Sequence, residues 1–83
     1  MKEIRILGIA VSDNAAEAVR VQNILTKFGC SIKTRLGLHE VSNEKCNTEG
    51  IILLELCGNT DEMDKLESEL LKIESLQLRK MIF

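Results

Sequence analysis

The fold of this chain is decided by one apolar stretch, residues 50–57, which reads GIILLELC. Apart from one glutamate its side chains are apolar on both sides of an extended chain, which is typical of a strand in the centre of a sheet. Gly50 begins the stretch, and Gly58 and Asn59 follow it, so turn-forming residues bound it at both ends. We therefore predict a buried central strand over residues 51–57.

Three other stretches are predicted to form strands. Residues 4–11 are a short run rich in isoleucine and valine, whereas residues 31–38 and 76–83 alternate between apolar and polar side chains. In the second of these strands the alternation places three apolar residues on one side: Ile32, Leu36 and Leu38. Residues 39–49 are mostly polar and are predicted to form the loop that precedes the central strand.

Two helices are predicted between the strands. Asn14 and Glu17 have the spacing of a capping box, in which polar side chains bind the free amides of a helix start. Asn59 and Glu62 repeat that spacing. The apolar residues that follow recur every three or four positions, namely Ala18, Val21, Leu25 and Phe28 in the first helix and Met63, Leu66, Leu70 and Ile73 in the second.

The resulting order is strand, helix, strand, strand, helix, strand, which predicts an α+β fold of the ferredoxin-like kind. Right-handed crossovers put both helices on one face of a four-stranded antiparallel sheet. The first and third strands then lie side by side in the middle of that sheet. Residues 1–83 contain no linker or second pattern and are predicted to form a single domain.

The other face of this sheet is predicted to be open. Charged side chains avoid a core packed under helices, so the sides of the central strands that carry Arg5 and Glu55 are assigned to the open face. That assignment places five apolar residues at the centre of the face: Leu7, Ile9, Val11, Ile51 and Leu53. Because a large exposed apolar patch is unusual on a monomer, we predict that these residues form the interface of a homodimer or a larger oligomer.

Composition excludes several kinds of partner. The chain has 83 residues, a net charge of −2 and a pI near 5.4, so general attraction to nucleic acid phosphates is not expected. RNA binding on a ferredoxin-like sheet relies on aromatic stacking, and the two phenylalanines, Phe28 and Phe83, are not on a predicted central strand. No apolar run approaches the roughly 20 residues of a membrane span. With no signal-peptide pattern and three scattered cysteines, we expect a reduced, cytoplasmic protein.

Candidate chemistry is sparse in this sequence. His39 is the single histidine, and with Cys46, helped by Glu44 or Glu49, it is the weak candidate for a metal site. A structural zinc site uses four closely spaced ligands, so we predict no metal and no cofactor. A nucleophile would need a base and an orienting group, and none is evident, so we predict that the chain is not an enzyme. We expect Cys30 and Cys57 to be packed, and Cys46 to be the exposed thiol.

Three stretches resemble one known family. Residues 21–29 read VQNILTKFG, residues 35–38 read RLGL and residues 50–54 read GIILL. Together they resemble a family of small ACT-like proteins named as regulators of the iron-only hydrogenase system. The resemblance implies an ACT-like regulatory module that senses a small molecule, such as an amino acid, or binds a regulatory protein. It implies no element that reads DNA.

The same resemblance suggests where a ligand would bind. ACT domains bind amino acids between subunits at the turn from the first strand to the first helix, and Ser12, Asp13 and Asn14 occupy that turn. Free amides at a helix start are suited to hold a carboxylate. Helix capping by the same three residues is the alternative explanation. Two other functions also stay open, namely a structural oligomerisation module without a ligand and a metal-responsive regulatory domain.

Overall fold

A computed structural model describes residues 3–11, 15–38 and 50–83 of the chain, with Leu38 described by its backbone only. The elements follow the predicted order. They are β1 (Arg5–Val11), α1 (Ala15–Lys27), β2 (Ile32–Leu38), β3 (Gly50–Leu56), α2 (Thr60–Leu71) and β4 (Gln77–Ile82). A short 3-10 turn, Gly29–Ser31, lies between α1 and β2.

The four strands form one antiparallel sheet in the order β2-β3-β1-β4. The two most apolar strands, β1 and β3, are therefore central, as predicted. Leu7 of β1 is paired with Leu54 of β3, and Ile9 with Ile52. This topology, with two crossover helices, confirms the ferredoxin-like fold class.

The core lies between one face of the sheet and both helices. Its buried side chains are Leu7, Ile9, Leu54 and Leu56 from the sheet, Val21, Leu25 and Phe28 from the first helical segment, and Met63, Leu66, Leu70 and Ile73 from the second. These helical positions are seven of the eight that the sequence spacing selected. Each fully buried side chain of this size stabilises the fold by about 1.5–3 kcal/mol.

The prediction of which side of β1 faces away from the helices was wrong. Leu7 and Ile9 are fully buried beneath the helices, and Val11 is partly buried against the same core. Arg5 is also on this side, at 5% exposure, because acidic side chains of α2 neutralise it. Since side chains alternate along a strand, misplacing one charged residue reversed the assignment of the whole strand.

The predicted alternation of β2 was also wrong at its start. Ile32 is paired with Leu56, but Thr34 is paired with Glu55, so β2 contains one extra residue between Ile32 and Thr34. Such a bulge reverses the alternation for the residues that follow. Ile32 therefore packs against the core, whereas Leu36 is on the opposite face.

The second helix begins as the sequence predicts. The Oδ1 atom of Asn59 accepts a hydrogen bond from the amide of Glu62 at 2.8 Å. Gly58 precedes this cap with a φ of 92°, a left-handed conformation that glycine adopts without a steric penalty. The turn and the cap together define the direction in which α2 leaves β3.

Removal of the cap should have a measurable cost. We expect Asn59→Ala to lower the free energy of unfolding by about 1 kcal/mol, because the Glu62 amide loses its acceptor. That loss lowers the melting temperature by about 4–8 °C for a domain of this size, as measured by circular dichroism. Asn59→Ser, which keeps a capping oxygen, should remain close to the wild type. Equal losses in the two variants would contradict a capping role.

Candidate functional site

We call the sheet face that lies away from the helices the open face. Directly paired residues of neighbouring strands share a face, and Gly8 is paired with Leu53 on one side and Arg79 on the other. Leu36 is paired with Leu53, which extends the row to the edge strand β2. By the same rule the side chains of the open face are Ile4, Ile6, Ala10, Thr34, Leu36, Ile51, Leu53, Glu55, Gln77, Arg79, Met81 and Phe83.

The open face is apolar over most of its area. Five large apolar side chains on it are exposed, at 46–68%: Ile4, Leu36, Ile51, Met81 and Phe83. They are the majority of the eight exposed large apolar side chains among the described residues. Large contiguous apolar patches are uncommon on monomers and often mark interaction surfaces.

Gly8 lies at the middle of the open face and contributes no side chain to it. A methyl group added there would meet the Leu53 Cδ2 atom at 3.7 Å and the Arg79 carbonyl oxygen at 4.0 Å. These are ordinary van der Waals distances, so neighbouring atoms lie close around this position. An apolar sheet face suits another protein surface better than a small ligand, which needs a concave site.

The charged side chains among the described open-face residues lie at two positions, one on each side of β1. Glu55 is next to β1 on one side, where its carboxylate accepts a hydrogen bond from the Thr34 hydroxyl at 3.1 Å and lies 3.8 Å from the Lys33 ammonium. Arg79 is on the other side and donates to the Leu78 carbonyl at 3.0 Å. The open face therefore presents one acidic and one basic position around an apolar centre.

The predicted interface residues divide between the two faces. Ile51 and Leu53 are on the open face, whereas Leu7, Ile9 and Val11 belong to the side covered by the helices. The sequence analysis missed the open-face residues of the outer strands and of the other side of β1: Ile4, Ile6, Leu36, Met81 and Phe83. One feature of the sequence could have indicated the correct face of β1. Asp64 and Glu67 form an acidic pair on α2, and such a pair offers partners for an arginine on the helix-covered side.

Those acidic residues form the main polar cluster of the described structure. The Arg5 guanidinium donates from Nε to Glu3 at 2.8 Å and from Nη1 to Asp64 at 2.7 Å, and it also contacts Glu67. Glu67 is itself buried, and its second oxygen accepts from the Lys80 ammonium at 3.0 Å. The cluster thus joins β1, α2 and β4 on the side of the sheet that the helices cover.

This cluster is structural rather than a binding site. Each of the three guanidinium nitrogens of Arg5 already faces a carboxylate, so none is left for an added anion. The hydrogen bond with Asp64 raises the pKa of Arg5 above its ordinary value, with burial opposing and Glu3 and Glu67 adding to the rise. The arginine is therefore charged at neutral pH, and its ion pairs hold α2 against the sheet.

Two predicted sites lie outside the described residues. They are the turn formed by Ser12, Asp13 and Asn14, and the weak metal candidates His39 and Cys46 with Glu44 and Glu49. Within residues 3–11, 15–38 and 50–83, no group of three or more acidic, histidine or cysteine side chains is arranged to hold a metal. Of the helices in the same ranges, neither has the length and apolar content that a bilayer crossing requires.

The described thiols differ from the prediction in one respect. Cys30, expected to be packed, is exposed in the 3-10 turn before β2, while Cys57 is partly buried just after β3. The Cys57 thiol lies 3.7 Å from the Cys30 carbonyl oxygen, to which it donates a weak hydrogen bond. The exposure of Cys30 follows from the turn, which ends the helix before this residue can join its buried face.

Comparison with known proteins supports the fold and no closer kinship. No protein family matches the chain, and no curated protein matches it. An uncharacterized protein from Thermotoga maritima, TM1266, superposes with a TM-score of 0.81 at 24% identity, over 99% of each chain. The ACT domain of the GTP pyrophosphokinase of Chlorobium tepidum superposes with a TM-score of 0.65 at 16% identity, over 94% of this chain and 96% of the other.

A third neighbour comes from a different regulatory group. It is CPII of Thiomonas intermedia K12, a nitrogen regulatory PII-like protein bound to ADP, AMP and bicarbonate. Its TM-score is 0.56 at 12% identity, over 99% of this chain and 93% of that one. At these identities the three likenesses establish an ACT-like, ferredoxin-like fold along the whole chain.

Proposed function

We propose that this chain is a small regulatory domain that senses a small molecule and works as an assembly of its own copies. The observation that carries the proposal is the likeness of its whole fold to an ACT domain and to a PII-like regulator. Both neighbours cover more than nine tenths of this chain, so the likeness involves the complete sheet and both helices. The proposal includes no catalytic step.

The ligand is proposed to bind where β1 leads into α1. Ligands of α/β sheets gather beyond strand ends at strand-to-helix crossings, and Ser12, Asp13 and Asn14 occupy this crossing. The free amides of a helix start attract an anionic group, so the ligand class is an amino acid or another small carboxylate, or a nucleotide phosphate. The neighbour CPII is bound to ADP, AMP and bicarbonate, which supports including both nucleotides and small carboxylates among the proposed ligands.

Self-association is proposed to occur through the open face. A domain of 83 residues buries a small share of its surface, and oligomerisation commonly supplies the missing stability. The exposed Leu36, Ile51 and Met81 give the open face an apolar surface of the kind that interfaces bury. Glu55 and Arg79 lie on either side of β1, so a two-fold partner can match acid with base.

The most specific part of the proposal is the identity of the regulated system, which would be the iron-only hydrogenase system. Residues 21–29, 35–38 and 50–54 resemble regulators of the iron-only hydrogenase system, and this part is supported by those sequence stretches alone. The exposed apolar residues of the open face favour one alternative, a purely structural assembly module that binds no ligand.

A thermal-shift experiment separates sensing from pure assembly. We expect one amino acid or adenine nucleotide, out of a panel tested at 1 mM, to raise the melting temperature by several degrees. A ligand present at about 100 times its Kd stabilises the native state by about 2.7 kcal/mol. The corresponding amines without the carboxylate, and nucleosides without phosphate, are the matched controls. A flat response across the whole panel would favour the structural module.

A further inference from the structure

The two described cysteines meet at one end of the sheet. Ile32 is paired with Leu56 at the start of the β2–β3 ladder, and the Cys57 amide donates to the Ser31 carbonyl at 2.8 Å. Ser31 and Cys57 are thus opposite each other, one step beyond the last ladder pair. Cys30 directly precedes Ser31 in the chain and lies one residue further from the sheet. The two cysteines are therefore diagonal neighbours, although they are 27 positions apart in the sequence.

The observed contact brings the Cys57 thiol beside the residue with which it would bond. The Cys57 sulfur lies 3.7 Å from the carbonyl oxygen of Cys30. A disulfide requires its two residues to be close neighbours in space, and the pairing at this end of the sheet brings Cys30 and Cys57 together.

The two thiols also differ in their access to solvent. Cys30 is exposed and can meet a small oxidant, whereas Cys57 is only partly exposed. An exposed thiol next to a second, resolving thiol is the arrangement found in reversible redox sensors. We propose that Cys30 and Cys57 are a peroxide-oxidisable pair that closes a reversible disulfide between the start of β2 and the end of β3.

The chemistry requires one peroxide molecule for each pair. The Cys30 thiolate attacks hydrogen peroxide, so that an S–O bond forms, the O–O bond breaks and, after protonation of the leaving hydroxide, water leaves. The Cys57 thiolate then attacks the Cys30 sulfur, so that the S–S bond forms and the hydroxyl leaves as a second water. The two thiols lose two electrons in total, and the peroxide gains them. A small thiol such as dithiothreitol reverses the bond by exchange.

The disulfide would be a redox input separate from the proposed ligand site. It would join the turn before β2 to the residue that precedes Gly58 and Asn59, where α2 is capped. The inference does not depend on the proposed regulatory function, because it rests on the ladder geometry and the exposure of the two thiols.

Peptide mapping tests the pair directly. Trypsin places Cys30 on peptide 28–33, but it leaves Cys46 and Cys57 together on peptide 46–65. The full chain with Cys46→Ser therefore gives one thiol per peptide. After a short exposure to hydrogen peroxide and alkylation of free thiols, we expect peptides 28–33 and 46–65 to be joined within one chain. Dithiothreitol should separate them.

Two comparisons make the result decisive. In the double variant Cys30→Ser, Cys46→Ser, Cys57 should remain alkylatable at the same peroxide dose. The native Cys46→Ser protein should form the cross-link at least 10-fold faster than the same protein unfolded in urea, because only the fold brings the thiols together. Over-oxidation of Cys30 with Cys57 still free, disulfides only between chains, or equal rates in urea would each overturn the proposal.

Discussion

Replacing Arg5 with methionine is expected to lower the free energy of unfolding by about 3–5 kcal/mol, because it leaves a buried carboxylate without its main partner. Arg5 is 5% exposed and Glu67 is 7% exposed, so water cannot replace the lost hydrogen bonds. Domains of this kind are stable by only about 5–15 kcal/mol. The variant should therefore lose a large part of its stability. Urea denaturation followed by circular dichroism measures the loss, since the chain has no tryptophan.

Further variants separate the charge from the packing. Asp64→Asn should cost much less, because this carboxylate is 66% exposed and water can replace it. The double variant Arg5→Met, Glu67→Met should recover most of the lost stability, because apolar side chains can replace a buried ion pair at little cost. A loss below about 1 kcal/mol in Arg5→Met would show that the cluster does not hold α2 to the sheet.

The sign of the pH effect follows from the direction of the pKa shift. The folded state raises the pKa of Arg5, chiefly through the hydrogen bond with Asp64. A cation of this kind adds stability at all pH values below its unfolded pKa and loses that contribution only above it. Titration of Arg5 itself should thus leave the stability unchanged at neutral and mildly alkaline pH.

Element order and sheet topology were predictable from local sequence. The apolar run of β3 marked it as central, and the 3.6-residue spacing in α2 selected Met63, Leu66 and Leu70 correctly. Asn59 was also found as a cap from its spacing to Glu62 alone. These features depend on residues close in sequence, so the sequence pattern contains them directly.

The faces of the strands were harder to predict, because they depend on distant residues. A two-residue period shows which side chains share a side, but it does not show which side the helices cover. Arg5 indicated the wrong side because Asp64 and Glu67 neutralise it from 59 and 62 positions away. The bulge between Ile32 and Thr34 left no local mark either, so the open-face position of Leu36 was not predictable from alternation.

The candidate interface was predicted only in part for the same reason. Ile51 and Leu53 were placed on the open face because the charged Glu55 shares their side. That placement was right, since Glu55 lies on the open face and binds Thr34 there. Met81 and Phe83 join them through the pairing of β4 with β1, which no local pattern specifies. The open-face residues of the edge strands could therefore be assigned only from the three-dimensional register.

Leu53→Arg is expected to abolish self-association. Leu53 is paired with Leu36 and faces Gly8 at the centre of the open face, where a second copy would bury it. An unpaired charge buried in an interface costs several kcal/mol, and about 2.7 kcal/mol already corresponds to a 100-fold weaker Kd. Sedimentation equilibrium should therefore report the 9.3 kDa monomer for the variant, where the wild type gives at least twice that mass.

Two further substitutions distinguish lost association from lost folding. Ile51 is already 47% exposed, so Ile51→Arg adds a charge to the open face without disturbing the core, and it should also give a folded monomer. Leu71 is 60% exposed on α2, on the opposite side of the molecule, so Leu71→Arg is the matched control. This control should keep the wild-type mass, because it adds the same charge at an exposed apolar residue that lies away from the open face. If all three variants keep that mass with intact circular dichroism spectra, or if the wild type is itself a monomer, the open face is not the interface. If Leu71→Arg alone dissociates the assembly, copies meet through the helices, and the apolar open face requires a different occupant.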